Sequence, residues 1–110
     1  MKTVICDTHT IQIWMAGNVC QAKQVCRQYC LAIGLCVTVT PTEFVYTGGE
    51  ETGFVVGLLN YPRFPTTPDE LLSKARELAE KLRSHLCQHS YLIVSGDKTE
   101  WSSCRKDGQN

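Results

Sequence analysis

The sequence predicts an α+β domain of two layers, a mainly antiparallel sheet with two helices on one face, in the order β-α-β-β-α-β-β. Three observations lead there. Two segments repeat apolar residues at three- and four-residue steps and begin at good cap residues. The segments around them are short and alternating, or rich in β-branched and aromatic residues. A double glycine, Gly48-Gly49, separates two of these by the length of a hairpin turn.

Each element follows in turn. In "TIQIWM", Ile11, Ile13 and Met15 alternate with Gln12 and Trp14, the period of a strand. Asn18 is suited to cap a helix beginning at Val19, where Val19, Ala22, Cys26, Tyr29 and Ile33 form one face and Gly34 closes it. "LCVTV" starts a second strand at Leu35, Pro41 interrupts it and "EFVYT" resumes it, so Pro41 marks an edge position or a bulge. "TGGEETG" turns the chain, and "FVVGLLNY" returns as the other half of a hairpin. Gly57 within it predicts a bulge or a close approach by another backbone. "PTTPDELL" then announces a helix, with Thr67 as cap, Pro68 at the first helical position and Glu70 completing a capping box. Leu71, Ala75, Leu78, Leu82 and Leu86 line its inner face, widened by Leu72 and Ala79. "SYLIVSG" reads as a buried strand, "GDK" as a turn and "TEWSSCR" as a last strand ending at Arg105. Residues 1–105 form the predicted single domain, and 106–110 ("KDGQN") a flexible tail.

Composition restricts the function. With 11 basic and 11 acidic residues in 110, nothing pulls the chain towards DNA, RNA or anionic lipid. Apolar runs such as "FVVGLL" fall far short of a membrane span, and "MKTVICDTHT" has no apolar signal core, so the expected compartment is the cytoplasm. Seven cysteines are an odd number with no Cys-x-x-Cys, which favours free thiols over a disulfide framework or a zinc site.

No catalytic constellation stands out. His85 and His89 are four apart near the end of the second helix, where the helix dipole favours cations without any metal. Glu50 and Glu51 read as a solvated turn, and neither GxxxxGK[ST] nor GxGxxG occurs. The expectation is therefore a protein that is not an enzyme, with no cofactor and no metal. What remains suits recognition of a nucleotide. Arg27, Arg63 and Arg105 offer planar forks of donors, Trp101 and Phe64 offer stacking faces, and Met15-Ala16-Gly17 delivers a strand into helix amides that receive anions. Each has a plainer counterpart: Arg27 paired with a surface glutamate, Trp101 and Phe64 in the core, Met15-Ala16-Gly17 as a tight turn. In "NYPRFP", Pro62 and Pro65 stiffen the backbone around Arg63, either to hold a fork and its aromatics in one geometry or to lead the chain into the second helix. Trp101 and Arg105, four apart on the expected last strand, would share one face.

The run "IWMAGN…VCRQYC…GLCVTVTPTEFVYTGGEETGFVVGLLNYPRFP", followed by an amphipathic helix and a strand ending in "WSSCR", resembles the small phage proteins of the Thoeris anti-defence sponge family, first type, over about residues 11–105. The resemblance implies a non-enzymatic protein of the host bacterial cytoplasm. It would sequester a cyclic ADP-ribose isomer made by TIR-domain enzymes and, as some members do, cyclic oligonucleotides at a separate site. It also implies a homodimer or trimer of dimers with the ligand at a subunit interface. Carried onto this chain, Arg27, Arg63 and Arg105 are the available arginines, Asn60 the natural polar contact, and Tyr46, Phe64 and Trp101 the stacking candidates, with Thr47 beside Tyr46 in the expected ligand set. A small enzyme degrading the same cyclic nucleotide and a protein-interaction inhibitor built on loop 60–65 are the competing expectations.

Overall fold

The computed structural model describes residues 1–105, so the expected tail 106–110 lies outside the described residues. Strand β1 (Thr10–Ala16), helix α1 (Val19–Ile33), strands β2 (Val37–Tyr46) and β3 (Gly49–Leu59), helix α2 (Pro68–His85) and strands β4 (Ser90–Ser95) and β5 (Lys98–Ser103) follow one another along the chain. The strands form one antiparallel sheet in the spatial order β2-β3-β1-β4-β5, and the fold is the α+β arrangement expected, with both helices on one face.

The two periodicities decide which face is which. Ile11, Ile13 and Met15 of β1 are buried with Phe54, Val56 and Leu58 of β3 and with Tyr91 and Ile93 of β4. Against them pack Ala22, Val25, Cys26 and Tyr29 of α1 and Leu71, Ala75, Leu78, Ala79 and Leu82 of α2. The helices start as their sequences dictate: Asn18 Oδ1 accepts from Gln21 N at 3.0 Å, and Thr67 Oγ1 from Glu70 N at 3.2 Å. Because successive strand residues alternate sides, the residues between the core positions point away from the helices.

Several local expectations are corrected. β2 runs unbroken through Pro41 rather than being interrupted there, while the edge position expected of Pro41 is found, since β2 has β3 on one side only. Pairing of β3 with β2 is one-to-one across Gly57, so no bulge occurs there; the crowding neighbour is the Thr38 hydroxyl, 2.5 Å from where a Cβ would lie. β5 stops at Ser103, two residues before Arg105, so Arg105 is not on the strand with Trp101. α2 ends at His85, and Cys87 then takes a positive φ of 55°. His89 therefore lies beyond the helix, and the four-residue histidine spacing does not lie on one helical turn; His85 Nδ1 instead sits 2.9 Å from Lys81 O. All seven cysteines are unpaired thiols, with Cys26 buried and its thiol pushed up to about 12 by burial first and Cys30 second.

Candidate functional site

The sheet face turned away from the helices carries a row of large side chains. Trp14 on β1 is paired with Val55 on β3 and with Leu92 on β4, and Leu92 in turn with Trp101 on β5. Directly paired residues share a face, so Val55, Trp14, Leu92 and Trp101 form one continuous line across four strands. Phe44 of β2 closes on the same region, its ring centroid 6.5 Å from that of Trp14 and at 64° to it. Gly53 makes this possible: a Cβ there would collide with the Phe44 ring and lie 2.5 Å from Met15 O. Trp14 is further fixed by its Nε1, which donates to Gln12 Oε1 at 3.2 Å. Trp101 remains 57% exposed.

At the Ala16 end of this face the row opens into a cleft of about 200 Å³, with Trp14, Ala16, Phe44, Leu92 and Trp101 supplying apolar surface. Its polar lining comes from Glu51, Gln88, His89, Ser90 and Arg105. Strand spacing sets Trp14 and Trp101 about 10 Å apart with Leu92 between them, room for one flat heterocycle against an aromatic face. A carboxylate and a guanidinium on the same rim give the cleft both signs of charge. Behind it runs a polar chain: Tyr91 OH donates to Glu80 Oε2 at 3.1 Å, and Arg83 Nε to Glu80 Oε1 at 2.8 Å. Arg83 holds the Glu80 carboxyl below its ordinary range, while burial first and Glu80 second raise the Tyr91 phenol.

The sequence-predicted site residues divide into groups. Met15, Ala16, Trp101 and Arg105 meet at this cleft, although the Met15 side chain is only 1% exposed and belongs to the core. Gly17 does not offer its amide to an anion, because that amide donates to Thr52 O at 3.0 Å. Tyr46 and Thr47 sit at the exposed tip of the β2–β3 hairpin, beyond the end of β1. Arg27 is exposed on α1, in the layer on the other side of the sheet. The 60–65 loop lies by the opposite end of β1, about 20 Å of strand from Ala16. There Asn60 is fully engaged: its Nδ2 donates to Asp7 O at 2.7 Å and its Oδ1 accepts from Thr66 N at 2.9 Å, so it ties the loop rather than reaching for a ligand. Phe64 N donates to Tyr61 O at 2.8 Å, the two rings stand 5.9 Å apart, and Arg63 lies over the Phe64 ring at 5.7 Å. One chain thus separates Arg63 and Phe64 from Trp101 and Arg105.

Sequence reasoning missed Trp14, Phe44, Glu51, Gln88 and His89. Glu51 is a correction: it lies on β3 opposite Phe44, not in a solvated turn. The signal was present in the alternation, since Trp14 falls between Ile13 and Met15 and must face away from them. A second cavity of about 440 Å³ lies at the far end of β1, between Thr8–Gln12, Pro68 and the β4–β5 turn, where the hydroxyls of Thr8, Thr10 and Ser95 and the ring of His9 interrupt a largely apolar lining. Among the described residues no three potential metal ligands gather, and no helix is long and apolar enough to cross a membrane.

No protein-family model matches the chain, and no curated protein is similar to it in sequence. The fold is similar to that of solved structures. A phage SAM lyase in complex with S-methyl-5′-thioadenosine superposes with a TM-score of 0.70 at 13% identity, covering 94% of this chain and 95% of that one. A phage SAM lyase in the apo state gives 0.63 at 16% identity, covering 89% and 90%. At these identities the likeness is one of fold.

Proposed function

We propose that the protein binds an adenosine-containing small molecule in the open-face cleft, as a phage anti-defence protein, and that an S-adenosylmethionine-type ligand fits the cleft best. The observation that carries this reading is the company Trp14, Phe44 and Trp101 keep with Glu51 and Arg105. Aromatic faces stack on a purine and attract a sulfonium cation through their quadrupole. Glu51 adds a carboxylate for that cation, and Arg105 a fork for an amino-acid carboxylate. The fold neighbour that holds S-methyl-5′-thioadenosine supports an adenine nucleoside as the shared chemistry. Since that neighbour is a lyase, cleavage of the ligand by this chain is part of the proposal, and the expectation of a non-enzyme is given up as the first reading.

Sequestration of a cyclic ADP-ribose isomer without cleavage is the second reading. Arg105 favours it, as the guanidinium at the cleft that could meet a phosphate. Against it stands the engaged Gly17 amide; the volume of about 200 Å³, below the ~300–1,000 Å³ usual for small-molecule sites, leaves part of either ligand outside the cleft of one protomer. A dinucleotide would need a second protomer to complete the cleft. The exposed apolar residues Val45 and Tyr46 on the hairpin arm, and Trp101 on the open face, give a homodimer or trimer of dimers a surface to use.

One experiment separates the readings. The purified protein is incubated with S-adenosylmethionine, S-methyl-5′-thioadenosine and a cyclic ADP-ribose isomer in turn, then heat-denatured, and the supernatant is analysed by mass spectrometry. Conversion of S-adenosylmethionine to a thioadenosine product supports the first reading. Retention and intact release of the cyclic dinucleotide supports the second. Failure of all three to bind by calorimetry removes the adenosine reading altogether.

A further inference from the structure

Six residues of the described chain are exposed or half-buried thiols that differ little by sequence, but Cys104 is set apart by its neighbours. Its backbone N donates to His89 O at 2.8 Å, which extends the β4–β5 pairing by one step and brings the two side chains together. Cys104 Sγ lies 3.9 Å from His89 Nδ1 and 3.5 Å from Arg83 Nη1. Arg83 is held there from behind by Glu80 at 2.8 Å and by Gln88 O at 3.3 Å, so its guanidinium does not swing freely. A thiol with a base in reach and a fixed cation beside it has the parts of an activated nucleophile.

We propose that Cys104 is a peroxide-reactive thiol, a modification site that hydroperoxides oxidise in preference to the other exposed cysteines. In the step, His89 takes the thiol proton and the sulfur attacks the near oxygen of the hydroperoxide. The S–O bond forms as the O–O bond breaks. Sulfur is oxidised by two electrons to a sulfenic acid, the peroxide is reduced, and the departing alkoxide or hydroxide receives the proton and leaves as alcohol or water. Arg83 balances the charge that gathers on sulfur as the proton leaves. The other exposed thiols, Cys20, Cys36 and Cys87, form no hydrogen bond to a histidine or arginine among those of the described residues.

The test uses the full chain without ligand, so it stands or falls separately from the function of the cleft. The reduced protein is exposed to limiting hydrogen peroxide, sulfenic acid is trapped with dimedone, and labelling is read peptide by peptide. Cys104 is expected to label about tenfold faster than Cys20, Cys36 and Cys87. His89→Ala and Arg83→Met are each expected to slow Cys104 several-fold and leave Cys20 unchanged, while Arg83→Lys keeps much of the rate. Equal labelling of Cys104 and Cys20 in the unaltered protein, which needs no variant to fold, overturns the proposal, as does a Cys104 rate indifferent to His89→Ala.

Discussion

Replacing Trp101 with alanine separates a binding tryptophan from a packing one. The side chain is 57% exposed on an edge strand, so rather under half of its surface is withdrawn from water. Full truncation of a core tryptophan costs ~3–5 kcal/mol, and the buried share scales that to about 1–2 kcal/mol. In a domain of this size such a loss lowers Tm by roughly 4–15 °C, leaving a folded protein at room temperature. Removing a base-stacking platform, by contrast, costs ~1–3 kcal/mol of affinity, or about 5- to 150-fold in Kd. Titration calorimetry with S-methyl-5′-thioadenosine at 15 °C, alongside a thermal melt, reads both quantities. Trp101→Phe keeps a ring and is expected to retain most of the affinity. A Trp101→Ala protein that melts as expected but binds with unchanged Kd would show that the indole is surface apolar area and would remove it from the site.

Gly53→Ala forces a methyl into the Phe44 ring and against Met15 O, and overpacking of this kind costs ~1–3 kcal/mol; chemical denaturation is expected to show that loss, with a changed Trp14 fluorescence as Phe44 moves. Asn60→Ala breaks both side-chain ties of the 60–65 loop, so ~1–3 kcal/mol of stability is expected to go while ligand affinity at the cleft stays within about twofold. Arg63→Ala is expected to change neither Tm nor Kd appreciably, and a tenfold loss of affinity would mean that a partner protomer brings its loop over the cleft. Glu80 and Glu100 have their carboxyls lowered by hydrogen bonds from Arg83 and Arg76. Both pairs therefore contribute above the unfolded value of about 4.5 and lose that contribution as pH falls through the lower folded value. Melts taken from pH 6 down to pH 3 are expected to decline less steeply for Glu80→Gln and Glu100→Gln than for the unaltered chain.

The fold was legible because its signals are local. Asn18, Thr67 and Pro68 start the helices where they are seen to start, and the spacing of Leu71, Ala75, Leu78 and Leu82 identifies the buried face of α2. The site was legible only in pieces, for a reason that lies in the pairing. Whether Trp101 stands near Trp14 depends on the register of β4 against both β1 and β5, and register is a property of contacts between segments rather than of either segment. Residue type alone marks Arg27, Arg63 and Arg105 alike, yet they are distributed over a helix surface, a loop and the cleft. Asn60 shows the same limit from the other side: a polar residue beside aromatics suits a ligand, and it suits equally the carbonyl of Asp7 and the amide of Thr66.

The position of the cleft follows from the architecture. Two helices cover one face of the sheet and satisfy its core, which leaves the other face as the larger uncovered surface. Ordinary solvated sheets carry polar residues there. This one places Trp14, Val55, Leu92 and Trp101 in line instead, and seats Phe44 beside them by keeping position 53 free of a side chain. Apolar area held open to water costs free energy unless something covers it. On the proposed reading, a purine would cover the end where Glu51 and Arg105 stand and a second protomer the remainder; with a neutral chain, short-range contacts rather than long-range steering would have to select both.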